Sequence, residues 1–326
     1  MKRLFLTLLT SLSLFLLGYS PAWAQEGEVL GIHILAPQEL AEADTLISTS
    51  NQDAWHYVTI PFSLADLEKK DQWQAFFDQA KEKKIIPLVR LVTKPEGAAW
   101  IQPTRKNITD QITFLKQLSW PTDKKHIIVF NEVNHAKEWG GVIDPVGYTE
   151  VLRFTALWAH SEQANFVVLP AAMDLAAPNG SATMEAFTYL EKMYEVDPEI
   201  FAHVDAWNSH SYPNPAFSAS PRMTTQNSLR GFEHELAYLK KKTNRDYQVY
   251  ITETGWVSNR ATLPWLESYY TYALQHIWSD PRVVAVTPFV LRGSPGPFAG
   301  FTFIDAQGRP TVHYQALQNA VKKTSG

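Results

Sequence analysis

The 326-residue chain contains no cysteine. That excludes disulfides, a cysteine nucleophile, thiolate metal centres and lipid attachment to an N-terminal cysteine. A surplus of one charge is missing too. The chain has 29 basic and 33 acidic residues, a formal net charge of −4, and so offers no footprint for nucleic acid or an anionic membrane. The short basic run Lys240, Lys241, Lys242 closes a helical stretch and reads as a solvated face. No Gly-rich turn follows the first apolar run, "GIHILAPQEL", so an open dinucleotide-binding sheet lacks its phosphate cradle. That run has one His, not the His-x-His of metal-dependent barrel hydrolases; no metal and no cofactor are expected. After Gln25 no linker, low-complexity tract or charge block divides the chain.

Only one long hydrophobic run is present, at the N-terminus. Lys2 and Arg3 precede "LFLTLLTSLSLFLLGY", and "PAWAQ" then places Ala22 and Ala24 at the two small-residue positions before a cut. This pattern predicts a secretory signal peptide over residues 1–24 and a secreted or periplasmic protein. A retained anchor is the alternative, but the run is short for a span and no stop-transfer cluster follows it. No later window is comparable, so no stable membrane insertion is expected after cleavage. The sequons at Asn107 and Asn179 matter only in a source that glycosylates.

From Gln25 onward, short β-branched runs alternate with amphipathic stretches. The strand candidates are "LGIHIL", "WHYVTIPF", "KIIPLVRL", "HIIVFNEV", "NFVVLPAA", "HVDAWNSHSY", "YQVYITETGW" and "RVVAVTPFVL". Helical patterns precede the third to eighth of these, and "HYQALQNAVKK" closes the chain. In the first, Trp73, Phe76, Phe77 and Ala80 fall at the i, i+3, i+4, i+7 spacing of a helix face. Asp144 followed by Pro145 predicts an N-cap and first turn. Strands apolar on both faces and separated by helices make a parallel sheet, and eight such units predict a single-domain (β/α)8 TIM barrel over residues 25–326.

Chemistry in such a barrel gathers where strands finish. Those ends carry His33, His56, Arg90, Asn131 with Glu132, Asp174, Asn208 with His210 and Tyr212, Glu253 with Trp256, and Arg292. Glu132 ends the fourth strand and Glu253 the seventh, so two carboxylates face each other across the mouth. Paired carboxylates flanking one bond are the apparatus of glycoside hydrolysis.

"FNEVN", "NSHSYP" and "ITETGW", in this order, resemble the strand-four, strand-six and strand-seven motifs of the retaining glycoside hydrolases with (β/α)8 barrels, the clan of cellulases, mannanases, xylanases and β-glycosidases. The resemblance implies Glu132 as acid/base, Glu253 as nucleophile, Asn131 on the sugar 2-hydroxyl, and His210 and Tyr212 beside the nucleophile. It also implies an oligo- or polysaccharide with β linkages as substrate. Two positions depart from the clan's pattern. Val133 stands where proline is commonest, and the eighth strand offers Phe289, Arg292 and Phe298 but no tryptophan.

Each candidate has a plainer role beside the functional one. Either glutamate could cap a helix. Arg90 could pair with a neighbouring carboxylate or orient the nucleophile. His33 and His56 could be satisfied core residues or touch substrate, and Asp174 could cap or bind hydroxyls. Trp73, Trp158 and Trp278 lie on helical faces and are assigned to the core. Trp100, Trp139 and Trp256 lie in loops, where rings suit stacking on sugars; Trp256, directly after the nucleophile, is the first choice. A glycan-binding barrel without catalysis, or a transglycosylase using the same two glutamates, remains the alternative.

Overall fold

The computed structural model describes residues 27–49, 51 and 53–324; the signal-peptide pattern lies outside the described residues. All eight expected strands form: β1 (Gly31–His33), β2 (His56–Phe62), β3 (Ile85–Leu91), β4 (Lys125–Val129), β5 (Phe166–Pro170), β6 (Trp207–Ser209), β7 (Val249–Ile251) and β8 (Val283–Val286). Helices follow each: α1 (Leu40–Ile47), α2 (Lys70–Glu82), α3 (Arg105–Lys116), α4 (Pro145–Ser161), α5 (Ala186–Val196), α6 (Gly231–Thr243), α7 (Leu266–His276) and α8 (Val312–Thr324). The seven expected helices appear, and α1 is an addition. Its eight residues span barely two turns, too few for a periodic signal, yet Leu40, Ala43, Leu46 and Ile47 are buried.

Strands β1 to β5 pair in parallel in sequence order, as do β6 to β8. Two seams close the ring. One is the parallel bridge of Leu30 to Val286, extended by the His33 N–H to the Pro288 carbonyl at 3.1 Å. The other is the bridge of Asp174 to His210, with the Asp205 N–H donating to Val168 at 3.0 Å. The result is a (β/α)8 barrel. Gly31 is needed where β1 pairs with β2, because a Cβ there would sit 2.1 Å from the Tyr57 carbonyl oxygen.

Pleating sorts each strand into two apolar sets. Ile85, Val89 and Leu91 of β3 join the layer shared with the helices, while Ile86 and Leu88 join Tyr57, Ile128, Leu169, Tyr250 and Ala285 inside the ring. Burying each such side chain stabilises the fold by roughly 1.5–3 kcal/mol. The next inward position on β3 is Arg90, so the same alternation that fills the barrel also points a guanidinium into its mouth. Beneath the mouth lies a polar belt. Thr252 donates to Asn208 Oδ1 at 2.6 Å, Asn208 Nδ2 to the Pro170 carbonyl at 3.0 Å, and Thr287 to the Thr252 carbonyl at 2.9 Å. Asp144 caps α4 as expected, accepting from the Gly147 N–H at 2.9 Å. Among the described residues no helix is long and apolar enough to cross a membrane.

Candidate active site

The strand β4 meets Glu132 through an unusual turn. Phe130 has φ +72° and Glu132 φ +32°, and the Phe130 N–H donates back to Ile128 at 3.1 Å. A bulky residue in the left-handed region costs on the order of 1–3 kcal/mol, so neighbours must hold it there. Trp139 packs edge-on to Phe130 at 5.7 Å and to Tyr148 at 5.4 Å. The Tyr148 hydroxyl in turn donates to the Val129 carbonyl at 3.1 Å and accepts from the Ala171 N–H at 2.6 Å, tying the ends of β4 and β5. The turn aims Asn131 and Glu132 into one cavity of about 600 Å³, shared with Arg90, Tyr212 and Glu253. A depression of about 690 Å³ beside Asp44 and Lys84 lies at the opposite end of the strands.

Glu253 is the most heavily engaged side chain of the mouth. Arg90 donates to Oε1 at 2.5 Å and the Tyr212 hydroxyl to Oε2 at 3.1 Å. His210 Nδ1 lies 2.9 Å from Glu132 Oε1 and 3.8 Å from Glu253 Oε2, standing between the two carboxylates. One oxygen of each glutamate and His210 Nδ1 all lie within 4.8 Å of one another. Burial opposes charge on Glu253, but His210 and Arg90 outweigh it and hold the carboxyl well below the usual range. Burial likewise opposes charge on His210, and the fields of Glu253 and Glu132 with the Glu132 hydrogen bond reverse it, so its pKa is raised. His33 differs: burial, then Arg90, lowers its pKa to about 3, and its neutral ring stands 3.6 Å from Glu253 Oε1. Glu132, His210 and Glu253 are residue types that could hold a metal, but Arg90 already sets a fixed cation on Glu253.

Arg90 also donates to Asn131 Oδ1 at 2.7 Å. That bond fixes the amide's orientation, with its nitrogen toward Glu138, which accepts a hydrogen bond from it. Of the alternatives for Arg90, pairing with a carboxylate and orienting the partner of Glu132 thus coincide.

Several expectations are corrected. Trp256 is fully buried, its Nε1–H donating to the Ala219 carbonyl at 2.8 Å and its ring packed on Tyr269 and Tyr270; no sugar reaches it. Trp139 is 1% exposed and serves the β4 turn instead of a platform. Asn208 points inward but one layer too deep, spent in the polar belt. His56 begins β2 instead of ending it, facing the Leu30 and Asn51 carbonyls at the far end of the barrel. Of the loop tryptophans only Trp100 borders the cavity, set there by a short hairpin of Pro95–Glu96 and Ala99–Trp100. Arg292 makes a bidentate ion pair with Glu42, 2.6 Å for each bond. Val133 is buried.

The structure also adds residues. Phe217, Phe289, Phe298 and Phe301 form one wall, with Phe289 edge-on to His33 at 5.1 Å. His135, Lys137 and Glu138 line the other side. Burial and then the Glu132 charge raise the pKa of Glu138. The cluster of charged residues in "NHAKEW", immediately after Glu132, was the available signal for this wall. Phe289 and Phe298 were already offered by the end of the eighth strand, whereas Phe217 and Phe301 had no such signal.

No family model matches the sequence, and no curated protein matches it. Solved structures do match. A monomeric β-xylosidase from Caulobacter crescentus CB15 gives a TM-score of 0.59 at 16% identity, over 89% of this chain and 67% of that one. A family 39 glycoside hydrolase from the gut symbiont Bacteroides cellulosilyticus WH2 gives 0.65 at 13% identity, over 93% and 65%. A GH128 (subgroup II) endo-β-1,3-glucanase from Pseudomonas viridiflava gives 0.55 at 14% identity, over 88% and 96%. The chain spans about two thirds of the length of the first two. At these identities the likeness shows a shared barrel fold.

Proposed function

We propose that this protein is a retaining glycoside hydrolase cleaving the O-glycosidic bonds of a β-linked glycan, with Glu253 as nucleophile and Glu132 as acid and base. The observation that carries the reading is the approach of the two carboxylates, one oxygen of each within 4.8 Å. Retaining enzymes hold such a pair about 5–5.5 Å apart, whereas inverting ones leave roughly 6.5–9.5 Å for a water. Membership of the solved neighbours among the glycoside hydrolases supports the same class.

In the first step protonated Glu132 gives its proton to the glycosidic oxygen as the bond to the anomeric carbon breaks. An oxygen of Glu253 attacks that carbon from the opposite face, forming a glycosyl ester. In the second step Glu132, now a carboxylate, takes a proton from water, whose oxygen displaces Glu253 and restores the starting state. Arg90 and Tyr212 keep Glu253 ionised and aimed. His210, whose pKa the two glutamates raise and whose Nδ1 lies 2.9 Å from Glu132 Oε1, is the nearest titrating side chain to the acid. The second N–H of Asn131, beside the one that Glu138 takes, suits the 2-hydroxyl of the sugar held at Glu253.

Reducing-sugar release from β-glucans, xylans, mannans, galactans and aryl β-glycosides tests the reading, with Glu253→Gln alongside. Release by the native enzyme and none by the folded variant is expected; equal release by both defeats the assignment. On the pattern at residues 1–24 alone we also infer export, and N-terminal sequencing of the mature protein, expected to begin at Gln25, checks it.

A further inference from the structure

The reaction above leaves one pair in the cavity unused. His135 Nε2 lies 2.8 Å from Asp174 Oδ2, and both residues line the cleft. Asp174 is held rigidly. Its Oδ1 accepts from the Ala176 N–H at 2.8 Å, its own N–H donates to Asn134 Oδ1 at 3.1 Å, and Asn134 Nδ2 donates back to the Asp174 carbonyl at 3.0 Å. A fixed carboxylate oxygen requires a proton on Nε2 of His135 and sets the plane of its ring. Nδ1 then has no partner among the described residues and is the nitrogen left for a ligand.

The pair belongs to one side of the site. The His135 N–H donates to the Glu132 carbonyl at 2.8 Å, so the ring rides on the turn that carries the acid. The hydrogen bond to Asp174, against burial, and then the field of Glu132 raise its pKa. Glu253 is instead enclosed by Arg90, Tyr212, His210 and His33. A leaving oxygen must come within about 2.6–3.2 Å of the Glu132 carboxyl, with the anomeric carbon toward Glu253. Whatever lies beyond that oxygen extends from Glu132 away from Glu253, over the β4 loop.

We infer that His135, oriented by Asp174, hydrogen-bonds the leaving group, and that this group is a second sugar and not an aryl or alkyl substituent. The inference rests on Glu132 being the acid. An apolar group in that position would cover an oriented imidazole without giving it a partner, which is costly. A sugar hydroxyl satisfies it as acceptor or donor.

The test compares kcat/KM on cello-, xylo-, manno- and laminari-oligosaccharides with that on the dinitrophenyl β-glycoside of the same glycone, whose departure needs no hydroxyl contact. The ratio of the two values cancels any loss of folded enzyme. Its expected fall is roughly 3- to 10-fold in His135→Ala, as for a lost hydrogen bond. Asp174→Asn should lower it in the same direction, and the double variant should add little. An unchanged ratio in His135→Ala overturns the inference. Silence of the native enzyme on both substrates defeats the hydrolase reading instead. The inference is then read by NMR of the His135 imidazole during titration with glucose, xylose or mannose. A saturable shift that Asp174→Asn weakens supports it, and the absence of any shift overturns it.

Discussion

The two glutamates of the mouth are the same side chain in two surroundings. Glu253 ends a central strand, has 9% of its side chain exposed, and is met by a guanidinium, a phenol and a histidine. Glu132 sits on a strained turn, has 18% exposed, and among the described residues has His210 as its one side-chain hydrogen-bond partner. The first environment suits a carboxylate that must stay ionised. The second suits one that exchanges a proton twice per turnover with substrate and water. On the proposed mechanism, environment and not residue type separates the roles.

Removing the acid breaks the comparison most severely. Glu132→Ala should lower kcat/KM on sugar leaving groups by roughly 10²–10⁴-fold while sparing dinitrophenyl glycosides far more, since that leaving group needs no proton. Equal losses on both substrates would reassign the residue. Added azide should restore turnover by taking the place of the activated water, yielding a β-glycosyl azide detectable by NMR.

Removing the cation beside the nucleophile comes next. Arg90→Met leaves Glu253 buried without its fixed partner, a change worth roughly 3–5 kcal/mol of stability. It should also shift activity. Glu253 must be ionised to attack, and its lowered pKa keeps the acid limb of the kcat/KM profile far to the acid side. Without Arg90 the limb should move up toward the ordinary carboxylate range; a stationary limb would assign that limb to another group.

A smaller effect is expected from Tyr212→Phe. It removes one hydrogen bond to Glu253 Oε2 and should cost about 1 kcal/mol, roughly fivefold in kcat, with little change in KM. A loss as large as that of the acid would mean the hydroxyl does more than aim the nucleophile.

The last prediction concerns stability alone and contrasts the mouth carboxylates with one on which burial prevails. Glu235 on α6 is buried behind β6, accepting from Ser209 at 2.5 Å and Trp207 Nε1 at 3.1 Å, and burial raises its pKa from 4.5 to about 7. Between those values the folded protein holds a proton that the unfolded chain releases, so stability falls as pH rises through that window. The loss levels off above it, after about 3 kcal/mol. Glu235→Gln keeps an oxygen to accept from Trp207 and places an N–H that can donate to the Ser209 hydroxyl, without the charge. Its melting temperature should therefore drop less than the native protein's between about pH 5 and about pH 8. Parallel curves would sink the assignment.

Much of this was legible beforehand, and the misses share a cause. Periodicity located all eight strands and seven helices, and the abrupt polar ends of β4 and β7 marked the two glutamates. Trp139 and Trp256 were misjudged because a loop position says nothing of side-chain direction. Asn208 was misjudged because one more step along an inward-facing strand changes a cleft residue into a belt residue. His56 was taken for the end of a strand that it begins.

By itself the sequence determined the eight alternating units and the carboxylate-bearing ends of the fourth and seventh strands, because apolar runs and helical spacing act between near neighbours. Only the tertiary structure decided which polar groups meet. Arg90 and Glu253 are 163 residues apart, and His135 and Asp174 lie on separate loops. Such contacts depend on strand register and ring closure, which no local pattern of residues encodes.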